Sequence, residues 1–347
     1  MVANLRYWML ELADNLYNQT QSPEMPKFKL WNSMGMLLTY KCPASCSFCY
    51  YRCNPNKGGL LSLENALSAW QSLIKIAGSS AKIHITGGEP FLYWSHLSSI
   101  LSEAKKLGLG TVDVIETNAF WATDKADVVE KLKFLDSHNV KKIKISYDPF
   151  HAEFVDYSKV KLLADTGAEI LGKDRVLVRW QEYMAADLNV MNMSEEEKIS
   201  LFIDSIKKFP CRFNGQAARG RLSEAFESKD IDEIAKSNCR NSFLSSKGIH
   251  LDPYGNVFSG TCSGIIIGNI EKQPLDEIWQ NFEPSKMDVI NVLLNKGPTG
   301  LLEKATNHGY QKRRLYSGKC HLCTDLRQFF FDKGIYGPII GPKDCYN

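Results

Sequence analysis

The chain lacks the features that would direct it to a membrane or out of the cell. No stretch approaches the roughly 18 consecutive apolar residues that a membrane-spanning helix needs. The first residues, MVANLRYWMLELADNLYNQ, hold no basic leader followed by an uninterrupted apolar run, which predicts that there is no signal peptide. We therefore expect a soluble, cytoplasmic protein without a membrane partner.

The sequence also lacks a strong excess of charge of either sign. Its 42 Lys and Arg residues stand against 39 Asp and Glu residues, which leaves a net charge of +3. The basic residues form no concentrated stripe and no recognisable RNA-binding module, so we predict no nucleic-acid partner. Repeats and low-complexity tracts are also missing, while hydrophobic residues make up 44% of the chain, enough for a sizeable core.

Short β-rich runs alternate with longer helical stretches through the first two thirds of the sequence. This alternation is typical of parallel strands joined by right-handed crossovers, and it predicts an α/β fold. The predicted strands are 34–40, 81–86, 111–117, 142–147, 175–180 and 211–214. The predicted helices are 62–77, 94–107, 124–138, 157–171 and 195–208, the first of them capped by Ser62.

The alternation of short β-rich runs with helical stretches ends after residue 225. The segment GIHLDPYGNVFSGTC, 248–262, predicts a hairpin with PYGN at its turn, and a further helix is predicted near 275–282. We therefore divide the chain into an N-terminal helical extension at 1–33, a core domain at 34–225 and a smaller α+β domain at 226–347.

Ten cysteines are unusual in a chain without a secretory signal, and their clustering favours metal ligands or redox groups over disulfides. Cys42, Cys46 and Cys49 follow the first predicted strand with the spacing CxxxCxxC. Three thiolates from one loop would bind three irons of a [4Fe–4S] cluster and leave the fourth iron open to a ligand. On spacing alone a zinc site is the alternative, with Cys53 as its fourth ligand.

Other unusual segments follow the ends of the next strands. GGEP at 87–90 follows the second strand, TNAFW at 117–121 the third, and DPFH at 148–151 the fourth. The carboxyl ends of parallel strands meet at one rim, where such folds carry their active sites. His151 lies on this rim and is a candidate general acid or base, or a substrate contact.

The CxxxCxxC loop, the aromatic Phe48 before its third cysteine, and GGEP after the second strand resemble the radical S-adenosylmethionine (SAM) superfamily over roughly 34–215. The resemblance implies a partial (βα)6 TIM-like barrel, a [4Fe–4S] cluster on the three cysteines and SAM on the open iron. In this family the reduced cluster cleaves SAM to a 5′-deoxyadenosyl radical, which abstracts hydrogen from the substrate. An electron donor such as flavodoxin or ferredoxin is then expected.

The same resemblance implies a set of SAM contacts around the strand ends. Phe48 would contact the adenine, and Glu89 with nearby backbone groups would hold the methionine ammonium. Arg179 would meet the methionine carboxylate, or would instead form a salt bridge inside the barrel. The full expected set is Phe48, Gly87, Gly88, Glu89, Asn118, Ser146, Asp148 and Arg179.

A second group of cysteines lies in the C-terminal third. A cysteine, fifteen residues, a turn glycine, six residues and another cysteine are followed later by a CxxC pair. This resembles the auxiliary-cluster extension called SPASM, and more closely its shorter form Twitch, because no cysteines come just after the CxxC. The resemblance implies one auxiliary [4Fe–4S] cluster, with structural zinc as the alternative. The expected ligands are Cys239, Cys262, Cys320 and Cys323, with Cys345 as the rival for one place.

We therefore predict a radical SAM enzyme of the oxidoreductase or maturase type. An auxiliary cluster suits a substrate radical that loses an electron, and peptide oxidation, cross-linking or epimerisation is the preferred reaction. Dehydrogenation or rearrangement of a small metabolite is the alternative, and a non-catalytic zinc-binding or RNA-associated protein is the alternative of another class. Cys53 is a candidate catalytic residue, as a hydrogen-atom donor to the substrate radical.

Overall fold

The computed structural model describes residues 30–346, except for 187, 189 and 261, so most of the predicted N-terminal extension lies outside the described residues. Within this range eight strands form one sheet in the order 5-4-3-2-1-6-7-8. They are β1 (Ser33–Leu37), β2 (Lys82–Thr86), β3 (Val112–Thr117), β4 (Ile143–Ile145), β5 (Val176–Val178), β6 (Gly248–Leu251), β7 (Asn256–Ser259) and β8 (Ile266–Asn269). The predicted α/β class is confirmed.

The first five strands are parallel and lie side by side in chain order. Because right-handed crossovers are the rule, this order puts the connecting helices on one face of the sheet and leaves the other face to line the interior of an open barrel. The helices are α1 (Leu63–Ala77), α2 (Trp94–Lys106), α3 (Lys125–Ser137), α4 (Pro149–Ala152), α5 (Tyr157–Ile170) and α6 (Glu195–Lys208).

The five predicted helices are present to within one residue at each end, and side-chain caps explain where they begin. The Ser62 hydroxyl accepts a hydrogen bond from the Asn65 amide at 3.1 Å, as predicted for this N-cap. At α6, Ser194 and Glu197 form a reciprocal capping box. These caps satisfy amide groups that the first helical turn leaves without partners.

The barrel interior is tightly filled below its rim. Gly35 on β1 faces the rings of His84 and His250, which meet edge to face with centroids 5.2 Å apart. A Cβ atom at Gly35 would come within 2.5 Å of both rings, so only glycine fits here. His84 is thus packed between neighbouring strands.

The sixth predicted strand, 211–214, is wrong. This segment is not part of the sheet, and the chain continues from it into a loop that packs on the cysteine loop. The Gln216 amide donates to the Cys49 carbonyl at 2.9 Å, and a Cβ at Gly215 would lie 2.3 Å from the Tyr50 carbonyl oxygen. The residues that follow the segment therefore pack on that loop, which local sequence does not reveal.

The C-terminal third extends the same sheet. β6 pairs with β1 in parallel, and the hairpin predicted at 248–262 is formed by β6 and β7, with Gly255 in its turn at φ +77°. The sheet thus runs across the predicted boundary at 225, and the division into domains stays a prediction. The remaining helices are α7 (Arg221–Glu224), α8 (Ile231–Ala235), α9 (Arg240–Leu244), α10 (Leu275–Gln280), α11 (Asp288–Lys296), α12 (Leu302–Asn307) and α13 (Lys319–Asp332).

Among the helices of the described residues, none is both long enough and apolar enough to cross a membrane.

Candidate active site

The loop that carries the first cysteines runs from the end of β1 to the start of α1. Its two ends are fastened to the sheet, because the Leu38 amide donates to the Thr86 carbonyl at 2.8 Å and the Leu61 amide to the Leu38 carbonyl at 2.9 Å. Further along, the Cys42 amide donates to the Asn54 carbonyl at 3.1 Å. The loop therefore closes on itself over the carboxyl ends of the strands.

A cavity of about 140 Å³, here called the rim cavity, lies under this loop. It gathers residues from the cysteine loop and from the segments that follow β2, β3, β4 and β5, as the strand order predicts. Among the predicted site residues, those that line it are Cys42, Cys46, Phe48, Cys49, Cys53, Gly87, Gly88, Asn118, Ser146, Asp148, His151 and Arg179.

The thiols of the rim cavity differ in their surroundings. Burial raises the pKa of Cys42 and of Cys46 above the ordinary value. A hydrogen bond from the Cys53 thiol lowers the pKa of Cys49, although burial acts in the opposite direction. The Asn118 side-chain amide also donates to the Cys42 sulfur at 3.6 Å. The site thus places hydrogen-bond donors beside sulfur atoms that metal binding would deprotonate.

Gly87 and Gly88 allow the GGEP segment to pack against the cysteine loop. The Gly88 amide donates to the Thr39 carbonyl at 2.6 Å, and a Cβ at Gly88 would lie 2.0 Å from the Lys41 carbonyl oxygen. Gly87 has φ +134°, in the region that favours glycine. The two glycines line the rim cavity, but the close approach that they permit is between two protein backbones.

Glu89 is fully buried and is absent from the described lining of the rim cavity. Its carboxylate accepts hydrogen bonds from the Phe91 amide at 3.1 Å, the Thr117 hydroxyl at 2.9 Å and the Asn118 amide at 2.7 Å. Burial raises the pKa of Glu89 to about 7, although these donors act in the opposite direction. Glu89 therefore joins the GGEP segment to the end of β3, whereas its contact with SAM stays a prediction.

Asp148 contacts two side chains of the rim, His151 and Arg179. Its Oδ1 accepts a hydrogen bond from His151 Nδ1 at 2.8 Å, and its Oδ2 lies 3.4 Å from Arg179 Nε. Burial opposes ionisation, yet His151 and Arg179 hold the pKa of Asp148 below its usual value. With its Nδ1 hydrogen donated to Asp148, a neutral His151 ring keeps Nε2 as an acceptor, the arrangement that a general base requires.

The four cysteines predicted to form the second ligand set line one smaller cavity of about 60 Å³, here called the second cysteine cavity. They come from the start of α9, the segment after β7, and the first turn of α13. Burial raises the pKa of Cys239, Cys262 and Cys320 above the ordinary value. The four are Cys239, Cys262, Cys320 and Cys323.

The rival ligand Cys345 lies elsewhere. Its sulfur is 3.4 Å from the Tyr40 hydroxyl, which also donates to Asp252 at 3.0 Å. It is not part of the described lining of the second cysteine cavity. The ligand assignments of both sets stay predictions.

The donor chemistry of both sets fits iron–sulfur clusters, which cysteine thiolates hold. Within the described residues, no three His, Cys, Asp or Glu side chains converge closely enough to hold one metal ion. The thiolates of a cluster bind different irons, so they need not meet at one point. The fit therefore rests on thiol donors that share a cavity, three from one loop and four from three separate elements.

Sequence reasoning missed several residues of both cavities. In the rim cavity they include Tyr51, Thr86, Glu116 and Thr117. Thr86 and Thr117 end β2 and β3, so the rule that sites lie at strand ends would have found them. In the second cysteine cavity the missed residues are Arg212, Asn214, Phe243, Ile265, Leu293, Lys319 and Arg327. Of these, Arg327 follows Cys323 by four residues, a spacing that would have revealed it once the helix was recognised.

Residues 36–166 match a family model described as the Radical SAM superfamily. Over 192 residues the chain is 30% identical to "Putative peptide biosynthesis protein YydG" of Bacillus subtilis (strain 168). This match covers 55% of the chain and 58% of that protein, so the chain spans less than two thirds of the relative.

Two solved structures show weaker likenesses. BtrN in complex with AdoMet and 2-DOIA has a TM-score of 0.45 at 16% identity, covering 78% of this chain and 90% of BtrN. Streptococcus suis SuiB bound to precursor peptide SuiA has a TM-score of 0.40 at 13% identity, covering 84% of this chain and 71% of SuiB.

The matched range 36–166 contains the cysteine loop, GGEP and DPFH, which together surround most of the rim cavity. The resemblance inferred from these motifs is confirmed over this range, which matches the Radical SAM superfamily model.

Proposed function

We propose that the chain is a radical SAM enzyme that binds a [4Fe–4S] cluster through Cys42, Cys46 and Cys49 and SAM in the rim cavity. One observation carries the proposal: the three thiols share a cavity with the polar ends of neighbouring strands, inside the range that matches this family's model. When bound there, the cluster and SAM would supply radical chemistry that removes a hydrogen atom from the substrate.

The aromatic wall of the rim cavity supports a role in holding SAM. The ring of Phe48 packs 5.2 Å from that of Phe150 and 5.7 Å from that of Phe213. Phe48 is 8% exposed, so its ring is fixed by these neighbours while one side borders the cavity. We infer that this wall contacts the adenine and keeps water from the reacting atoms.

The opposite wall supplies polar groups. Asn118 is positioned by the hydrogen bond that its backbone amide donates to the Glu89 carboxylate, and Ser146 borders the cavity where β4 ends. Arg179 would meet the methionine carboxylate in a charge-assisted pair while it remains beside Asp148. His151 would accept a proton at Nε2, since net oxidation of a substrate releases a proton as well as an electron.

We further propose that the second cysteine cavity holds one auxiliary [4Fe–4S] cluster. Its support is that four thiols from three separate elements line one buried cavity. With all four places taken by protein, such a site suits electron transfer and leaves no open iron for a ligand.

A peptide is the proposed substrate. The support is the 30% identity to a relative whose name refers to peptide biosynthesis, although the match covers only part of each chain. Oxidation or cross-linking would use the electron-accepting role of the auxiliary site, and an external donor such as flavodoxin or ferredoxin would reduce the first cluster.

Iron and sulfide per chain after anaerobic reconstitution test the proposal. We expect about eight irons in the wild-type protein and about four in the Cys42/Cys46/Cys49→Ala variant, as two four-iron clusters require. The variant should also form no 5′-deoxyadenosine from SAM. Zinc without iron in the wild-type protein would overturn the proposed function.

A further inference from the structure

Arg327 is a buried cation on the wall of the second cysteine cavity. Its side chain belongs to the middle of α13, and the residue is 4% exposed. Its hydrogen bonds go to uncharged oxygens: Nη1 donates to the Ser263 carbonyl at 2.7 Å and the Tyr346 hydroxyl at 3.0 Å, and Nη2 to the Thr324 hydroxyl at 3.2 Å. Its Nε has no hydrogen-bond partner among the described residues.

Arg327 differs from the arginines that form ion pairs with carboxylates. Within the described residues, the arginine–carboxylate pairs closer than 4.0 Å involve Arg175, Arg179 and Arg313. A guanidinium stays charged inside a protein, and burying it without a counter-charge is strongly unfavourable. A negative charge is therefore needed close to Arg327.

The cavity itself is the place for that charge. Cys320 and Cys323 precede Arg327 by seven and four residues on α13, so the two thiols and the guanidinium share one face of the helix. Four thiols line the cavity, and none of the residues described in its lining is acidic. Deprotonated thiols that hold a metal cluster would supply the missing anion.

The guanidinium is also held firmly in place. The Tyr346 ring stacks on Phe331 with centroids 4.7 Å apart, and the Tyr346 hydroxyl donates to the Gly264 carbonyl. Gly264 has φ +81°, and a Cβ there would lie 2.8 Å from Arg327 Nη1. The loop after Cys262 and the C-terminal residues therefore leave space for this side chain and fix its orientation.

We propose that Arg327 is the counter-ion of the anionic auxiliary cluster and raises its reduction potential, so that the cluster accepts an electron more readily. The inference rests on the proposed function, because it requires that cluster. A [4Fe–4S] cluster with four thiolates takes its net charge from −2 to −3 when it gains one electron, and no proton is needed. A nearby cation stabilises the more negative state more strongly, and hydrogen bonds to sulfur act in the same direction.

The test uses the Cys42/Cys46/Cys49→Ala variant of the whole 347-residue chain, which keeps the proposed auxiliary site and lacks the proposed ligands of the first cluster. In this background, Arg327→Gln, Arg327→Lys and Arg313→Gln are reconstituted anaerobically, and iron, sulfide and the midpoint potential are measured. We expect Arg327→Gln to shift the potential to more negative values and Arg327→Lys to shift it less. Arg313→Gln is the matched control, because Arg313 pairs with Glu227 and Asp325 and should leave the potential unchanged.

Iron content separates the possible outcomes. An unchanged potential in Arg327→Gln, with about four irons retained, overturns the inference. Loss of iron from Arg327→Gln but not from Arg327→Lys supports the inference, because lysine keeps the positive charge that glutamine lacks. Loss from both variants, with native circular dichroism, contradicts a role for charge. If the parent protein binds no iron, the proposed auxiliary cluster fails and the role of Arg327 fails with it.

Discussion

The rim cavity and the second cysteine cavity differ in whether their charged side chains have partners of opposite sign. In the rim cavity each charged group has a partner of opposite sign: Asp148 meets Arg179 and His151, and Glu116 binds Lys144 at 2.9 Å. In the second cavity Arg327 is buried with no carboxylate beside it. A cavity that admits a small ligand needs to be stable before the ligand arrives, whereas a cavity built around a resident anion relies on that anion for its balance.

The two cavities also differ in where their thiols come from. Three come from one loop of the rim, and the four of the second cavity come from elements far apart in the chain. A single loop leaves one side of a metal group accessible, whereas thiols from several elements surround it. The difference agrees with a catalytic role for the first set and an electron-transfer role for the second.

The largest expected effect is on iron content, and it tests which cysteine is the fourth ligand in the second cysteine cavity. In the Cys42/Cys46/Cys49→Ala background, Cys323→Ala should lower the iron content well below the expected value of about four per chain, because one of the four proposed thiolate ligands is lost. Cys345→Ala is the matched control and should retain the iron, since its thiol contacts Tyr40 outside the cavity. Equal loss in both variants, measured by iron analysis, would show that Cys345 is a ligand.

A smaller effect is expected at His151. His151→Gln should lower product formation about 100-fold or more, because it removes the proposed proton acceptor, while 5′-deoxyadenosine still forms. The measurement is the ratio of product to 5′-deoxyadenosine in single-turnover reactions with the peptide substrate. His308→Gln, a change at an exposed histidine, is the control and should keep the wild-type ratio. A normal ratio in His151→Gln would remove this residue from the proton step.

The smallest effect concerns the paired charges of the rim. Burial opposes ionisation of Glu116, but Lys144 and His84 lower its pKa to about 2 from the ordinary value of 4.5. A depressed pKa in the folded state stabilises the protein above pH 4.5, and this stabilisation is lost as the pH falls towards 2. The free energy of unfolding should therefore fall by up to about 3 kcal/mol across this window.

Glu116→Gln should flatten that pH dependence, measured by urea unfolding of the metal-free protein between pH 2 and 5. Glu130→Gln, at an exposed position on α3, is the control and should keep the wild-type slope. An unchanged slope in Glu116→Gln would mean that the Glu116–Lys144 pair does not stabilise the fold.

The periodic part of the fold could be predicted from sequence because its signals are local. Apolar spacing and caps such as Ser62 set the helix limits to within one residue, and strand order placed most of the rim residues in one cavity. The segment 211–214 misled because Gly215 and Gln216, which follow it, pack on the backbone of a loop more than 150 residues earlier. A β-prone run does not reveal what it will pair with.

Individual roles within the sites were harder to predict. Glu89 was predicted to contact SAM, but its three hydrogen bonds to the protein were not predicted. These bonds depend on how the GGEP segment packs against the end of β3. Helical spacing places Arg327 beside Cys323, but the sequence does not show that Arg327 is buried without an acidic partner. Both facts depend on tertiary packing.

The pairing of β6 with β1 has a consequence for how the chain can be divided. If the polypeptide were cut near residue 225, β1 would become an edge of the sheet, and its backbone groups from Ser33 to Met36 that face β6 would lose their partners. Edge strands with unpaired backbone groups recruit other chains and aggregate. The first two thirds of this chain are therefore unsuited to be excised or transplanted as an independent module, because β6 covers the edge of their sheet.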